Sequence, residues 1–145
     1  MNKIFLILLA IIAMVGSDMV FLPAARAKED RKAAHVVAYY FHGDFRCATC
    51  RKLEQYSKDA IETNFKDAIA SGKLEFKAVN VDEAGNEHFT DDYQLYTKSV
   101  ILSLVKDGKE TKWKNLDKIW ELVRDKQEFY GYMDAEVSGF LKEAK

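Results

Sequence analysis

The 145-residue sequence predicts an α/β sandwich, three layers built on a central mixed sheet of about four strands in the order β-α-β-α-β-β-α. Three features carry that reading. His35 to Phe41 is β-branched and aromatic with little alternation, the pattern of a strand covered on both faces. Leu53, Tyr56, Ala60, Ile61, Phe65, Ala68 and Ile69 recur at three- and four-residue steps, the period of a helix with one buried side. Ser99 to Val105 is a second apolar run, and Lys106-Asp107-Gly108-Lys109 after it signals a hairpin, because Asp-Gly accepts the positive φ of a tight turn.

The elements follow in chain order. Lys28 to Ala34 is a charged leader into the first strand, which Gly43 and Asp44 end. A helix is expected from about Cys47 to Ala70, with Lys52, Glu54, Lys58, Asp59, Glu62 and Lys66 on its outer side and Ser71-Gly72 as its stop. Leu74 to Val81 reads as a strand, Asp82 to Gly85 as a loop, and Asn86 to Leu95 as a short helix with Phe89 and Tyr93 inward. A strand near Glu110 to Lys114 answers the Asp-Gly turn. Leu116 to Lys142 is largely helical, broken near Asp125 or Gly131, and Trp113 and Trp120 are expected to pack it against the sheet. Strands joined by helices are expected to be parallel crossovers, and the last two strands an antiparallel pair.

Composition narrows the function. A formal charge of −1 leaves no basic surplus to neutralise a phosphate backbone, so nucleic acid is not an expected partner. The first 27 residues read as a secretory signal peptide. Lys3 is followed by an apolar run from Ile4 to Val15, and Ala25-Arg26-Ala27 supplies the small residues of a cleavage site. The rival is an uncleaved anchor, which would hold the domain near a membrane and bring Asp18 into the bilayer at a cost of about 2.5–3.5 kcal/mol. Either way the domain is residues 28–145, and export to the periplasm or beyond would let disulfides form and persist.

The two cysteines stand at Cys47-Ala48-Thr49-Cys50, a C-x-x-C pair opening a helix after a buried strand. Helix N-terminal amides favour an anion, so Cys47 is expected to be stabilised as thiolate, with Arg46, Arg51 and Lys52 adding positive charge. Cys50, one turn on, is less exposed and would resolve the mixed disulfide that Cys47 forms. His42 is a candidate proton shuttle beside the pair.

With these residues in hand the chain resembles the thioredoxin superfamily over essentially all of Lys28 to Lys145, including Val79-Asn80-Val81-Asp82 at the second strand's end and the Lys106-Asp107-Gly108 turn. Tyr40-Phe41-His42-Gly43 and Phe45-Arg46-Cys47-Ala48-Thr49-Cys50 are similar to small exported proteins labelled ArsF-type, some of them labelled nitroreductase subunits. The resemblance implies a thiol–disulfide oxidoreductase with a redox-active Cys47–Cys50 disulfide, a substrate-holding loop at Ser99 and Val100, and a protein thiol/disulfide or membrane electron donor as partner. The sequence departs from that family at three points. Val100 stands where the family has a cis-proline, and a trans bond is expected there because a non-proline cis bond costs about 2.5–4 kcal/mol. An aromatic, Tyr40 or Phe41, replaces the family's buried acid on the first strand. Ala48-Thr49 inside the motif leaves the potential open within the roughly −270 to −120 mV of related pairs.

Three other readings compete. The pair could be a structural bridge, which closes so short a loop that it adds little stability. Alternatively, the vicinal thiols could capture a soft metal or metalloid, although a zinc site takes about four ligands and only His42 lies near in sequence. A third possibility is an accessory subunit of a larger redox enzyme. Arg51 follows Cys50 where covalent haem attachment needs His, and no nucleotide-binding glycine pattern or nucleophile elbow occurs. No cofactor and no resident metal is expected. His35 and His88 read as surface residues, and Asp82, Glu83, Glu87, Asp91 and Asp92 as a solvated acidic face.

Overall fold

The computed structural model describes residues 33–145; the signal-peptide reading of residues 1–27 lies outside them. The chain forms β1 (His35–His42), α1 (Ala48–Asn64), α2 (Lys66–Ala70), β2 (Leu74–Asn80), α3 (His88–Asp92), β3 (Ser99–Lys106), β4 (Lys109–Asn115), α4 (Ile119–Leu122) and α5 (Lys126–Glu143). The four strands make one sheet in the order β2-β1-β3-β4. This is the thioredoxin-like mixed sheet that the sequence predicts.

One connection differs. β1 and β2 are parallel, joined by α1 and α2, but β3 runs antiparallel to β1, with Phe41 opposite Ser99 and His35 opposite Val105. The link of residues 81–98 is folded into turns and the short α3, with no helix long enough to run back along the sheet. Five residues of helix rise only about 7.5 Å, whereas the seven residues of β2 span roughly 23 Å. The link therefore stays at the end of the sheet where β2 finishes, and β3 starts from that same end.

Alternation along β1 divides the core. Val36, Ala38 and Tyr40, with Val100, Leu102 and Leu104 of β3, face Leu53, Ala60 and Ile61 of α1 and Phe129, Met133, Val137 and Phe140 of α5. On the opposite face Phe41 and Ile101 meet Tyr93, with Tyr39 and Phe89 beside them. Trp120 packs on the α1/α5 side and its indole N–H donates to the Lys98 carbonyl (3.0 Å), as expected of a residue securing the C-terminal helices. Trp113 does not join it. It alternates with Lys112 and Lys114, which reach Glu143 and Glu136 of α5, so its own ring turns to the other face against Tyr93.

Helix boundaries have local causes. The expected long helix breaks at Phe65 (φ −124°, ψ 32°) after Thr63-Asn64, two residues of low helix propensity. Of the two candidate breaks in the C-terminal segment, Asp125 is the one used: its carboxylate accepts the Gln127 and Glu128 amides (both 3.0 Å) and starts α5, which runs through Gly131. Asp107 (φ 51°) and Gly108 (φ 73°) both take positive φ, the geometry of a tight two-residue hairpin turn between β3 and β4.

Candidate active site

The β1–α1 connection is short and held at both sides. Its backbone starts from the His42 carbonyl, which accepts the Val81 amide (2.8 Å). The Asp44 amide donates to Asp82 (2.7 Å), and the Asn80 side chain donates to the Asp44 carboxylate (2.7 Å). Gly43 suits this closeness, because a Cβ there would lie 2.5 Å from the Asp82 carboxylate oxygen and the carboxylate would have to shift. Asp82 thus belongs to the frame of the loop and is more than a member of a solvated acidic face. The interaction joins residues 38 apart, so no local sequence pattern announces it.

Cys47 is the N-cap of α1, and it forms a disulfide with Cys50 across a Cα–Cα distance of 5.0 Å. Its sulfur accepts the Cys50 amide (3.1 Å), the position that a serine or aspartate oxygen fills in an ordinary cap. The first turn of α1 carries no acidic residue to compete for the dipole. Cys47 is half-buried and Cys50 is buried, the asymmetry expected of an attacking and a resolving sulfur.

The surrounding charge is smaller than the sequence implies. Arg46 forms an ion pair with Glu54, two turns along α1, so its charge is largely spent; its Nε is buried without a partner. Arg51 and Lys52 remain without an ion pair among the described residues.

Beneath the pair lies Tyr40. Its hydroxyl donates to the Cys50 carbonyl (2.6 Å), and burial pushes its pKa up to about 12, against a smaller opposing pull from Arg46. Of the two first-strand aromatics, Tyr40 is the one beneath the pair; Phe41 points into the other half of the core. A hydroxyl with so high a pKa is a hydrogen-bond donor and no base.

His42 ends β1, half-buried, with Nδ1 3.0 Å from the Gly43 carbonyl and its ring 6.1 Å from that of Tyr40. None of its hydrogen bonds reaches either sulfur. Ser99 and Val100 begin β3 and are buried; the Ser99 hydroxyl donates to the Thr97 carbonyl (2.9 Å), and the Val100 carbonyl accepts the Leu116 amide (2.8 Å). The described residues contain no cis peptide bond. Nor does any group of three or more His, Cys, Asp or Glu residues converge among them as a metal site would require.

Two aromatics stand in solvent at this end, Phe45 (78% exposed) and Tyr96 (95%). Tyr96 lines a shallow recess of about 290 Å³ with His42, Gly43, Asp82 and Lys98, and the Lys98 ammonium sits 6.0 Å from the Phe45 ring. His35 and His88 are at the surface, the latter paired with Asp92 (2.7 Å).

Fold and site together define a thioredoxin-like domain carrying a C-x-x-C disulfide at a helix start. No family profile and no curated protein matches the sequence. Solved structures that it is similar to include thioredoxin O2 from Arabidopsis thaliana in its oxidized state, at 15% identity and a TM-score of 0.40, covering 70% of this chain and 78% of that one. Fasciola hepatica thioredoxin aligns at 23% identity and a TM-score of 0.38, over 66% of this chain and 83% of the other. Mitochondrial thioredoxin 3 from Saccharomyces cerevisiae, in its oxidized form, gives 16%, 0.39, 66% and 83% in the same measures. The fold assignment rests on the strand order and register described above.

Proposed function

We propose that the chain is a thiol–disulfide oxidoreductase that cycles the Cys47–Cys50 pair. The observation that carries this reading is the half-buried Cys47 sulfur at the N-cap of α1, accepting an amide and joined to a buried Cys50. In the reduced protein the Cys47 thiolate attacks a partner disulfide, forming a Cys47–partner bond and expelling one partner thiolate, which takes up a proton. Cys50 then loses its proton and attacks the Cys47 sulfur, releasing the second partner thiolate. Two electrons pass to the partner and the protein returns to its disulfide; with a dithiol partner every step reverses.

A protein partner is supported by the exposed Phe45 and Tyr96 at the same end of the sheet as the pair, since isolated aromatics there offer contact area without contributing to the core. The signal-like pattern of residues 1–27 supports an exported protein, periplasmic or held at a membrane, and there the partner would include an electron donor. The ArsF-type likeness supports service to a larger redox enzyme.

The test is a Cys50→Ser variant expressed in the native cell. Mixed disulfides through Cys47 should accumulate and be released by dithiothreitol. Absence of such adducts, together with no dithiol/disulfide cycling of the purified wild type, defeats the reading.

A further inference from the structure

Beside the disulfide lies a second recess, about 240 Å³, lined by Thr49, Lys52, Trp120, Val123 and Arg124. It joins the first turn of α1, one residue from Cys50, to the α4 segment. Its floor is apolar, with Val123 buried and the Trp120 indole N–H already committed to the Lys98 carbonyl. Its rim is basic. Lys52 lines it, and Lys126, outside the lining, sits over the Tyr56 ring that Lys52 also approaches (5.4 and 5.7 Å) and over that of Tyr130 (5.1 Å). Among the described residues neither they nor Arg124 makes an ion pair. The nearest acids in sequence do not relieve them: Glu54, two residues from Lys52, is paired with Arg46, Glu121 and Asp125 do not line the recess, and the Asp125 carboxylate is occupied capping α5.

Lys52 and Arg124 share the recess without a counter-charge, and a docked anion relieves the repulsion between them. Resting on the redox reading above, we infer that this recess recognises an acidic segment of the partner protein flanking its reactive cysteine. A Glu or Asp carboxylate meets Lys52 and Arg124 while its stem lies on Trp120 and Val123. The partner's sulfur is thereby delivered to Cys47, so the recess selects partners by charge.

Three peptides test this, each with one cysteine activated as its 2-pyridyl disulfide and flanked by two Glu, two Gln or two Lys. Reduced protein attacks the peptide sulfur, releases 2-thiopyridone and then resolves through Cys50, which frees the peptide thiol. The Glu peptide should react about fivefold faster than the Gln peptide, the yield of two exposed ion pairs. The Lys peptide should be slowest. The Glu/Gln ratio, taken within each protein so that changes in Cys47 itself cancel, should fall to about one in a Lys52→Gln, Arg124→Gln variant and near 1 M salt. A ratio of one in the wild type, or a ratio that survives in the variant, overturns the inference.

A non-reactive arm replaces the cysteine by serine and follows the Trp120 indole N–H by NMR. The Glu peptide should shift that signal and the Gln peptide should not. Free phosphate that competes as well as the Glu peptide would make the recess a small-anion site and also overturn the inference. Should all three disulfides go unreduced, the redox reading falls, while the serine peptides still decide what the recess binds.

Discussion

Removing one oxygen beneath the disulfide tests how Tyr40 serves the site. Tyr40→Phe deletes the 2.6 Å bond to the Cys50 carbonyl and leaves the ring in its fully buried position. The abandoned carbonyl still accepts the amide of Glu54 within α1, so it is not orphaned, and the loss belongs in the ordinary range for a hydrogen bond. That range is about 0.5–1.5 kcal/mol. Taking about 1 kcal/mol, the melting temperature of the oxidised protein should drop by about 4 °C. Alkaline pH supplies a second, independent signature. Burial raises the Tyr40 pKa from 10.0 to about 12, so on base titration the unfolded chain gives up this proton first. Its contribution is complete below pH 10 and is lost as pH climbs toward 12. Tyr39, Tyr93 and Tyr132 are raised as well, chiefly by burial, so both proteins weaken in base. The gap between wild type and variant should nevertheless narrow above pH 10, because only the wild type carries Tyr40's share. Urea denaturation from pH 7 to 11.5 reads both effects. Equal stability at pH 7, or a gap that stays constant through the alkaline range, would refute the reasoning.

Two further substitutions probe the frame. Gly43→Ala drives a methyl group against Asp82 and should cost about 1–3 kcal/mol by urea denaturation; adding Asp82→Ala should return part of that loss, a coupling that a purely conformational glycine effect would not give. Asp125→Ala removes both amide contacts that begin α5 and should cost about 1 kcal/mol, which Asp125→Ser should largely restore and thermal unfolding would measure.

Legibility in the sequence followed the range of the interactions. The β1 strand, the α1 face and the β3–β4 hairpin depend on neighbours within a few residues, and His35 to Phe41, Leu53 to Ile61 and Asp107-Gly108 state them openly. The cysteine pair is equally local, and its half-buried and buried members follow from one turn of helix. What escaped is non-local. The direction of β3 depends on how far a five-residue helix can carry the chain. The pairing of Arg46 with Glu54 depends on the loop's bend into α1, which turns a residue expected to charge the site into one that is neutralised. Trp113 was misplaced because strand alternation gives two faces and does not say which one α5 will cover. The basic recess was invisible for the same reason: Lys52 and Arg124 stand 72 positions apart and meet only when α4 returns to the start of α1.

The short α3 also explains why the chemistry sits where it does. β1 hands the chain to α1 on one face of the sheet, while β2 hands it to α3 on the other, where Phe89 and Tyr93 cover Phe41. Adjacent parallel strands whose connections leave toward opposite faces open a crevice at their ends, the place where α/β sheets bind ligands. Here the loop from Gly43 to Arg46 spans that crevice, fastened by Asp44, Asn80 and Asp82, and delivers Cys47 to the edge. Because the link of residues 81–98 stays folded around the short α3, Tyr96, Thr97 and Lys98 are kept at this same end. A longer α3 would move those residues away and leave Phe45 of the β1–α1 loop alone at this end. The setting of the disulfide is thus a consequence of how the connections fold as much as of the cysteines themselves.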